Sequence, residues 1–408
     1  MGALSHLRVL DLSRVLAGPA AGQILADLGA EVIKVERPGR GDDTRAWGPP
    51  WLADANGRAT GESAYYLAAN RGKKSVAIDL SRPRGQGLVR ELAARADILL
   101  ENFRVGGLAR YGLDYANLTA VNPGLIYCSI TGFGQTGPYA ERPGYDSMIQ
   151  AMGGLMSITG TADGEPQKAG VALADVMSGH YAVIGTLAAL AHRERTGAGQ
   201  HIDLALLDVQ VAGLVNQAMN YLVGGRTPQR MGNAHPNIVP YQVFATEDGY
   251  FMLAVGNDGQ FRCLCRLLGE EALADDARFA TNGARVEHRD LLVARLAGYF
   301  ARGTRDDWLA ALEGAGVPCG PVNDIDEVFA DPQVRERGMV RNVAHPLAGS
   351  VPLVGSPLKL SATPPVDPVA PPTLGQHTDE VLVECLGLDE ATRSSLRADG
   401  IIAGPTAQ

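Results

Sequence analysis

Short apolar runs alternate with amphipathic stretches through the first 205 residues. "LRVLDLS" (7–13), "EVIKVE" (31–36), "KSVAIDL" (74–80), "DILLENF" (97–103) and "PGLIYCSIT" (123–131) read as strands. Between them, "GPAAGQILADLGA" (18–30) reads as a helix, with Pro19 near its start and Gly29 near its end, and "RPRGQGLVRELAARA" (82–96) as another. Strands alternating with helices predict an α/β fold, a parallel sheet with helices on both faces. A long helix is expected over about 175–195, then a strand at "HIDLALLD" (201–208) and a second long helix over 207–223. From about 225 the pattern changes. "PYQVFATEDGYFMLAVG" (240–256) is two strands around the Asp248-Gly249 turn, followed by helical stretches at 258–268, 287–302 and 304–315. The chain is Pro-rich and irregular near 350–373 and ends in a helix over about 377–398. The expected organisation is a discontinuous large domain (1–205 and 330–408), a helical linker (206–225) and a smaller α+β domain (226–329).

Composition fits a globular chain: 408 residues, 46% hydrophobic and 20% charged, with no uninterrupted apolar stretch of membrane-spanning length. The start, "MGALSHLRVLDLS", lacks signal-peptide and myristoylation patterns. A formal charge of −9 argues against a nucleic-acid surface but leaves room for a local basic pocket. The five cysteines, Cys128, Cys263, Cys265, Cys319 and Cys385, form neither a disulfide framework nor a zinc set. No metal, nucleic-acid partner or membrane is expected, and the cytoplasm is the expected compartment.

Several motifs bear on chemistry. "GFGQTG" (132–137) has the G-x-G-x-x-G spacing, but "PYAERPGYD" follows it, so the helix that would receive a pyrophosphate is missing. A glycine-rich active-site loop stays open. "SRVLAGPAAGQ" brings backbone N–H groups and a helix start to the carboxyl end of the first strand, where open α/β sheets bind ligands. Arg37, just past the second strand, reads as a phosphate contact or a surface residue. "ENFRVGGLARYG" (101–112) sets Asn102 and Phe103 before Arg104 and Arg110, which suits an adenine and its phosphates or a solvated loop. Asp175, in "GVALADVMSG" (170–179), stands among small and apolar residues at a predicted helix start, as a helix cap or a reacting group. No His, Ser and acid share a triad-like spacing, and His180 reads as structural.

These residues together resemble the class III CoA-transferases, the family of formyl-CoA transferase and carnitine CoA-transferase. The likeness runs nearly end to end, through "VLDLSRVLAGPAAGQILADLGAEVIKVERPGRGDDTR", "NRGKKSVAIDL", "ENFRVGGLARYGLDY", "YCSITGFGQTGPYAERPGYD", "RTGAGQHIDLAL", "GVPCGPVN" and "LGQHTDEVL". "GDDTR", "WGPP", "YCSITG" and "IVPYQ" place it nearest the branch that moves CoA from succinyl-CoA to dicarboxylic acids. The resemblance implies a Rossmann-like large domain, an interlocked homodimer, acyl-CoA as a substrate and no permanently bound cofactor. It implies that Asp175 is the nucleophile, passing through an aspartyl–acyl anhydride and an aspartyl-CoA thioester, with Tyr145 and Asp146 beside it. Val15 and Ala17 match main-chain contacts to CoA, and Arg37 a phosphate contact. Ile78, Asn102, Phe103 and Arg110 match the adenine and ribose–phosphate site, with Arg104 among them.

Three departures matter. Leu16 stands where formyl-CoA transferase has a glutamine over the acyl site. Ser81 and Pro143 replace lysines near CoA, with Arg82 and Arg142 adjacent as candidate substitutes. The tetraglycine lid is absent, which argues against oxalate and formate as substrates. A second carboxylate on the acceptor needs a cation or donors, and Arg45, His235 and Gln242 are the candidates, or only shape loops. The rival readings are an α-methylacyl-CoA racemase, which carries His where this chain has Tyr145, and a non-catalytic CoA-binding protein.

Overall fold

A computed structural model describes residues 2–405. Six strands run parallel: β1 (Arg8–Asp11), β2 (Glu31–Glu36), β3 (Lys73–Ile78), β4 (Ile98–Glu101), β5 (Ile126–Thr131) and β6 (His201–Ala205). A two-residue strand near the end of the chain, β7 (Ile402–Ala403), adds antiparallel to β3. The order across the sheet is β7-β3-β2-β1-β4-β5-β6. The chain therefore winds one way from β1 to β3, then crosses to β4 and winds the other way. That is the Rossmann-like order, and its switch point lies between β1 and β4, where doubly wound sheets bind ligands at the strands' carboxyl ends.

The strands are apolar on both faces because both faces are covered. In β1, Val9 packs with the helices Ala17–Asp27 and Leu173–Thr196, while Leu10 packs on the opposite face with the helix Pro83–Ala93 and the C-terminal helices. Gly179 explains how closely the first two helices approach, since a Cβ there would stand 2.9 Å from the Ala17 carbonyl and 3.2 Å from the Ala20 Cβ. This contact sets the start of the long helix beside residues 16 and 17. Among the described residues, Leu173–Thr196 alone is long and apolar enough to cross a membrane, and its Ala174, Ala182, Val183, Ala189 and Leu190 are buried in the core.

Two compact units divide the chain. The first takes the chain up to Gly154, Ala169–Ala218 and everything from Pro332 onward. The second takes Leu155–Lys168 and Met219–Asp331, with its own core around Phe244, Phe251, Phe261 and Phe300. Residues 155–168, expected in the large domain, belong with the second unit, because Arg230 donates to the carbonyls of Thr161 (3.3 Å) and Gly164 (2.8 Å). The single helix expected over 207–223 is two, Leu206–Ala212 and Val215–Gly224, broken where Val215 takes φ 42°. The terminal helix is likewise two, Thr378–Leu386 and Glu390–Ala398. Gly387 ends the first in the left-handed region at φ 68°, and Asp389 caps the second. Unforeseen from the pattern were the helix Asp146–Met152 and the hairpins Trp51–Ala53/Ala59–Ser63 and Val340–His345/Gly349–Val354.

Candidate active site

Asp175 lies in the first turn of the helix Leu173–Thr196, whose cap position is Ala172 without a side-chain cap. Asp146 supplies the missing cap from 29 residues away. Its Oδ1 accepts from the N–H groups of Ala174 (2.8 Å) and Asp175 (3.3 Å). Buried Gln150 then donates to Asp146 Oδ2 (2.7 Å) and accepts from Ala169 N–H (2.9 Å). Asp146 therefore caps the helix, and Asp175 does not. Among the described residues nothing hydrogen-bonds the Asp175 carboxylate. Burial first, and then the like charge of Asp146, push its pKa up to about 7.

The loops at the switch point are clamped. Asn102 accepts from Arg14 N–H (2.9 Å) and donates to the Arg14 carbonyl (2.7 Å), tying the β1 loop to the β4 loop. Val15 sits at φ 71°, a conformation that costs a β-branched residue on the order of 1–3 kcal/mol. Asp42 holds it there, accepting the Val15 N–H at 3.2 and 3.3 Å. Buried Lys34 backs Asp42 at 2.9 Å and donates to the Ser13 carbonyl at 2.8 Å. A tied backbone of this kind presents the residue 16–17 N–H groups without reorganisation at the moment of reaction.

One cleft of about 460 Å³ collects most of the expected residues: Val15, Leu16, Ala17, Asn102, Phe103, Arg104, Arg110, Tyr145 and Asp175. A neighbouring cleft is lined by Arg37 and Ile78 and shares Arg14, Asp43 and Phe103 with the first. Phe103 thus stands where the two clefts meet. Of the candidate lysine substitutes, Arg142 lines the Asp175 cleft and stacks 3.9 Å over Tyr139. Sequence reasoning missed Arg14, in the loop that leaves β1, and missed Arg40 and Tyr111. The "GFGQTG" loop owes Gly132 to a close crossing: a Cβ there would stand 2.5 Å from the Gly144 Cα. That crossing brings the Tyr145–Asp146 segment back to the sheet edge.

Arg45 must be corrected. It is buried, donating to Glu36 (2.8 and 2.9 Å), Glu62 (3.0 Å) and the Pro372 carbonyl (3.0 Å), with its guanidinium 3.6 Å over Tyr66. With these contacts it holds the fold and has no donor left for an acceptor acid. His235 and Gln242 lie in the second unit. His235 Nδ1 accepts from Asn237 N–H, and Gln242 pairs with Leu253 in the sheet. Among the described residues no cluster of His, Cys, Asp and Glu is arranged to hold a metal ion.

The sequence profile of CoA-transferase family III matches residues 4–378. The chain belongs to CoA-transferase family III. The succinate–glutarate CoA-transferase of Agrobacterium fabrum is 55% identical over 93% of this chain and 95% of its own length. The succinyl-CoA:glutarate CoA-transferase of Mus musculus is 46% identical over 98% of this chain and 91% of its own. A crystal structure of a CaiB/BaiF family protein from Brucella suis superposes with a TM-score of 0.83 at 53% identity, over 94% of this chain and 99% of that one. As a family III member the chain is a CoA-transferase enzyme. For a mechanism in which the Asp175 carboxylate attacks, which requires it to be ionised, the expected acid limb of kcat/KM rises with pH through about 7. Asp146→Asn keeps an acceptor for Ala174 N–H but removes the like charge. The limb then moves to lower pH, and stops short of an ordinary aspartate because burial is the larger cause. A pH–rate profile unchanged by this substitution contradicts the coupling.

Proposed function

We propose that this CoA-transferase moves CoA from succinyl-CoA to a dicarboxylic acid of about five carbons such as glutarate, with Asp175 as the covalent relay. The observation that carries the reading is the Asp175 carboxylate, without a hydrogen-bond partner, in a cleft it shares with Arg104, Arg110 and Arg142. None of those arginines takes part in a salt bridge among the described residues, which leaves three cations for an anionic ligand. The names of the relatives supply the donor and acceptor class.

In this reading Asp175 attacks the thioester carbonyl, the C–S bond breaks, and an anhydride forms as CoA thiolate leaves. The thiolate returns to the aspartyl carbonyl, releases succinate and leaves an aspartyl-CoA thioester. The acceptor carboxylate attacks that thioester, and the thiolate then takes the acyl carbon of the new anhydride. CoA ends on the acceptor and Asp175 ends as a carboxylate. No water or net proton is consumed, and the thioester's activation stays in covalent intermediates. CoA is a substrate here and no resident cofactor is needed. In this reading CoA lies across the two clefts, its nucleotide at Arg37, Ile78, Phe103 and Arg110 and its thioester end at Val15, Leu16, Ala17 and Asp175. We read the assembly as an interlocked homodimer, supported by the exposed apolar residues Val211, Val215, Leu222 and Val223. Sedimentation at a single-chain mass would remove that part. The reducing cytoplasm fits the five free thiols.

The substrate class is tested by comparing glutarate with butyrate, which lacks the distal carboxylate. Glutarate is expected to be preferred by about tenfold or more, the value of one charge-assisted contact. Equal use of the two acids means that nothing in the site reads the distal carboxylate, and the dicarboxylate assignment falls.

A further inference from the structure

Glu101 ends β4 directly below the switch-point cleft. It is 5% exposed, and its Oε2 accepts the backbone N–H of Phe103 at 2.7 Å. Its neighbour across the sheet is Ser129 on β5, whose hydroxyl lies 2.9 Å from His201 Nε2 on β6. His201 in turn stacks on Tyr115 at 5.2 Å. A buried carboxylate, a buried hydroxyl and a half-buried imidazole thus lie in a row behind one backbone donor, and that donor belongs to the residue standing where the two clefts meet.

We propose that Glu101 is a positioning residue for the nucleotide end of the CoA site, acting through the backbone N–H of Phe103. The inference rests on the reading of that end as the nucleotide site. Glu101 touches no ligand. It fixes the turn that aims Phe103, while Asn102 in the same turn is fixed separately on Arg14.

What marks Glu101 as more than a packing residue is what it costs the fold. Tyr127 and Ser129 of β5 share its face of the sheet, Cys128 points to the opposite face, and His201 and Asp203 of β6 and Asp114 lie beyond them. On the other side, Asp11 of β1 and Lys73 of β3 are paired with each other at 2.9 Å. No cation offsets the burial, which pushes the Glu101 carboxyl up to about 7. An acid whose pKa is raised in the folded state loses stability as pH climbs through that value. Glutamine would accept from Phe103 N–H and donate to Ser129 without that penalty. The ionised group gives one thing glutamine cannot, a charge-assisted bond to Phe103 N–H, about twice as strong as a neutral one.

The test is Glu101→Gln in the full-length enzyme near pH 8, measuring melting temperature, calorimetric affinity for free CoA, and kcat at saturating acyl-CoA. The expected result is a higher melting temperature together with CoA affinity weakened about three- to tenfold, and kcat within about twofold of wild type. The gain in melting temperature should shrink as pH falls from about 7 and close toward the ordinary glutamate range, where Glu101 is neutral in the unfolded chain as well. Unchanged CoA affinity overturns the proposal, as does a fall in melting temperature, affinity and kcat together, which marks a merely structural residue. Arg110→Ala serves as the reference. If it weakens CoA and Glu101→Gln does not, the positioning role fails and the nucleotide site stands. If neither weakens CoA, the nucleotide site itself has been placed wrongly.

Discussion

Asp175→Ala is expected to abolish CoA transfer, by on the order of 10⁴-fold or more, while free CoA still binds. The carboxylate is the only group in the proposed cycle that carries the acyl and CoA groups in turn, so no neighbour can replace it. The proposed nucleotide end of the clefts, at Arg37, Ile78 and Phe103, is untouched by the substitution. Wild-type enzyme given acyl-CoA alone should hold a thioester that hydroxylamine traps at residue 175, seen as a mass shift on the peptide containing it. The variant should show none. Transfer by the alanine variant within about tenfold of wild type refutes the assignment. Stability should move the other way. The Asp175 pKa is raised in the folded state, so ionisation weakens the fold as pH rises through about 7. The variant should therefore melt higher than wild type near pH 8, with the gap closing as pH falls toward the ordinary aspartate range.

Arg110→Ala should raise the KM for acyl-CoA about ten- to a hundredfold and leave kcat at saturation nearly intact. A hydrogen bond to a charged partner contributes about 1.5–3 kcal/mol, and about 1.4 kcal/mol is tenfold in affinity. Arg110 is exposed, stacks 4.5 Å from the Tyr111 ring and forms no salt bridge among the described residues, so its charge is available to a phosphate. Arg37→Ala should act in the same direction from the neighbouring cleft. Both losses should shrink at high salt, where exposed charges are screened. Two variants with wild-type KM would show that the nucleotide lies elsewhere.

The sheet was legible because strands covered on both faces leave near-continuous apolar runs, and "EVIKVE" coincides with β2 end to end. The loops at the strands' carboxyl ends were legible for a related reason: a topology fixes where they meet. What could not be read were pairings between distant parts of the chain. Asp146 follows two prolines in a polar stretch that looks like loop, and nothing local says that its carboxylate caps a helix starting 27 residues later. Arg45 looked like an available cation because Glu36 and Glu62, 9 and 17 residues away, carry no local sign of converging on it. Asn102 lines the cleft, and no local pattern shows that its side-chain amide also ties the Arg14 backbone at both ends. The three-residue strand Trp51–Ala53 and the two-residue β7 fall below the length at which alternation can be recognised.

That small strand has a bearing on how the molecule is made. Ile402 and Ala403 pair with Ile78 and Ala77, and Asp79 N–H donates to the Ile401 carbonyl at 2.8 Å. Ile78 lines the cleft shared with Arg37. During synthesis the ribosome releases β1 to β6 first, with residues 155–168 of the second unit among them, then the rest of that unit (Met219–Asp331), and only then the residues that close the β3 edge. The inserted unit can complete its core while its host still has an open strand edge, the kind of surface that invites pairing with another chain. The wall of the cleft lined by Arg37 and Ile78 is therefore among the last parts of this enzyme to be finished, although most of its residues are among the first to be translated.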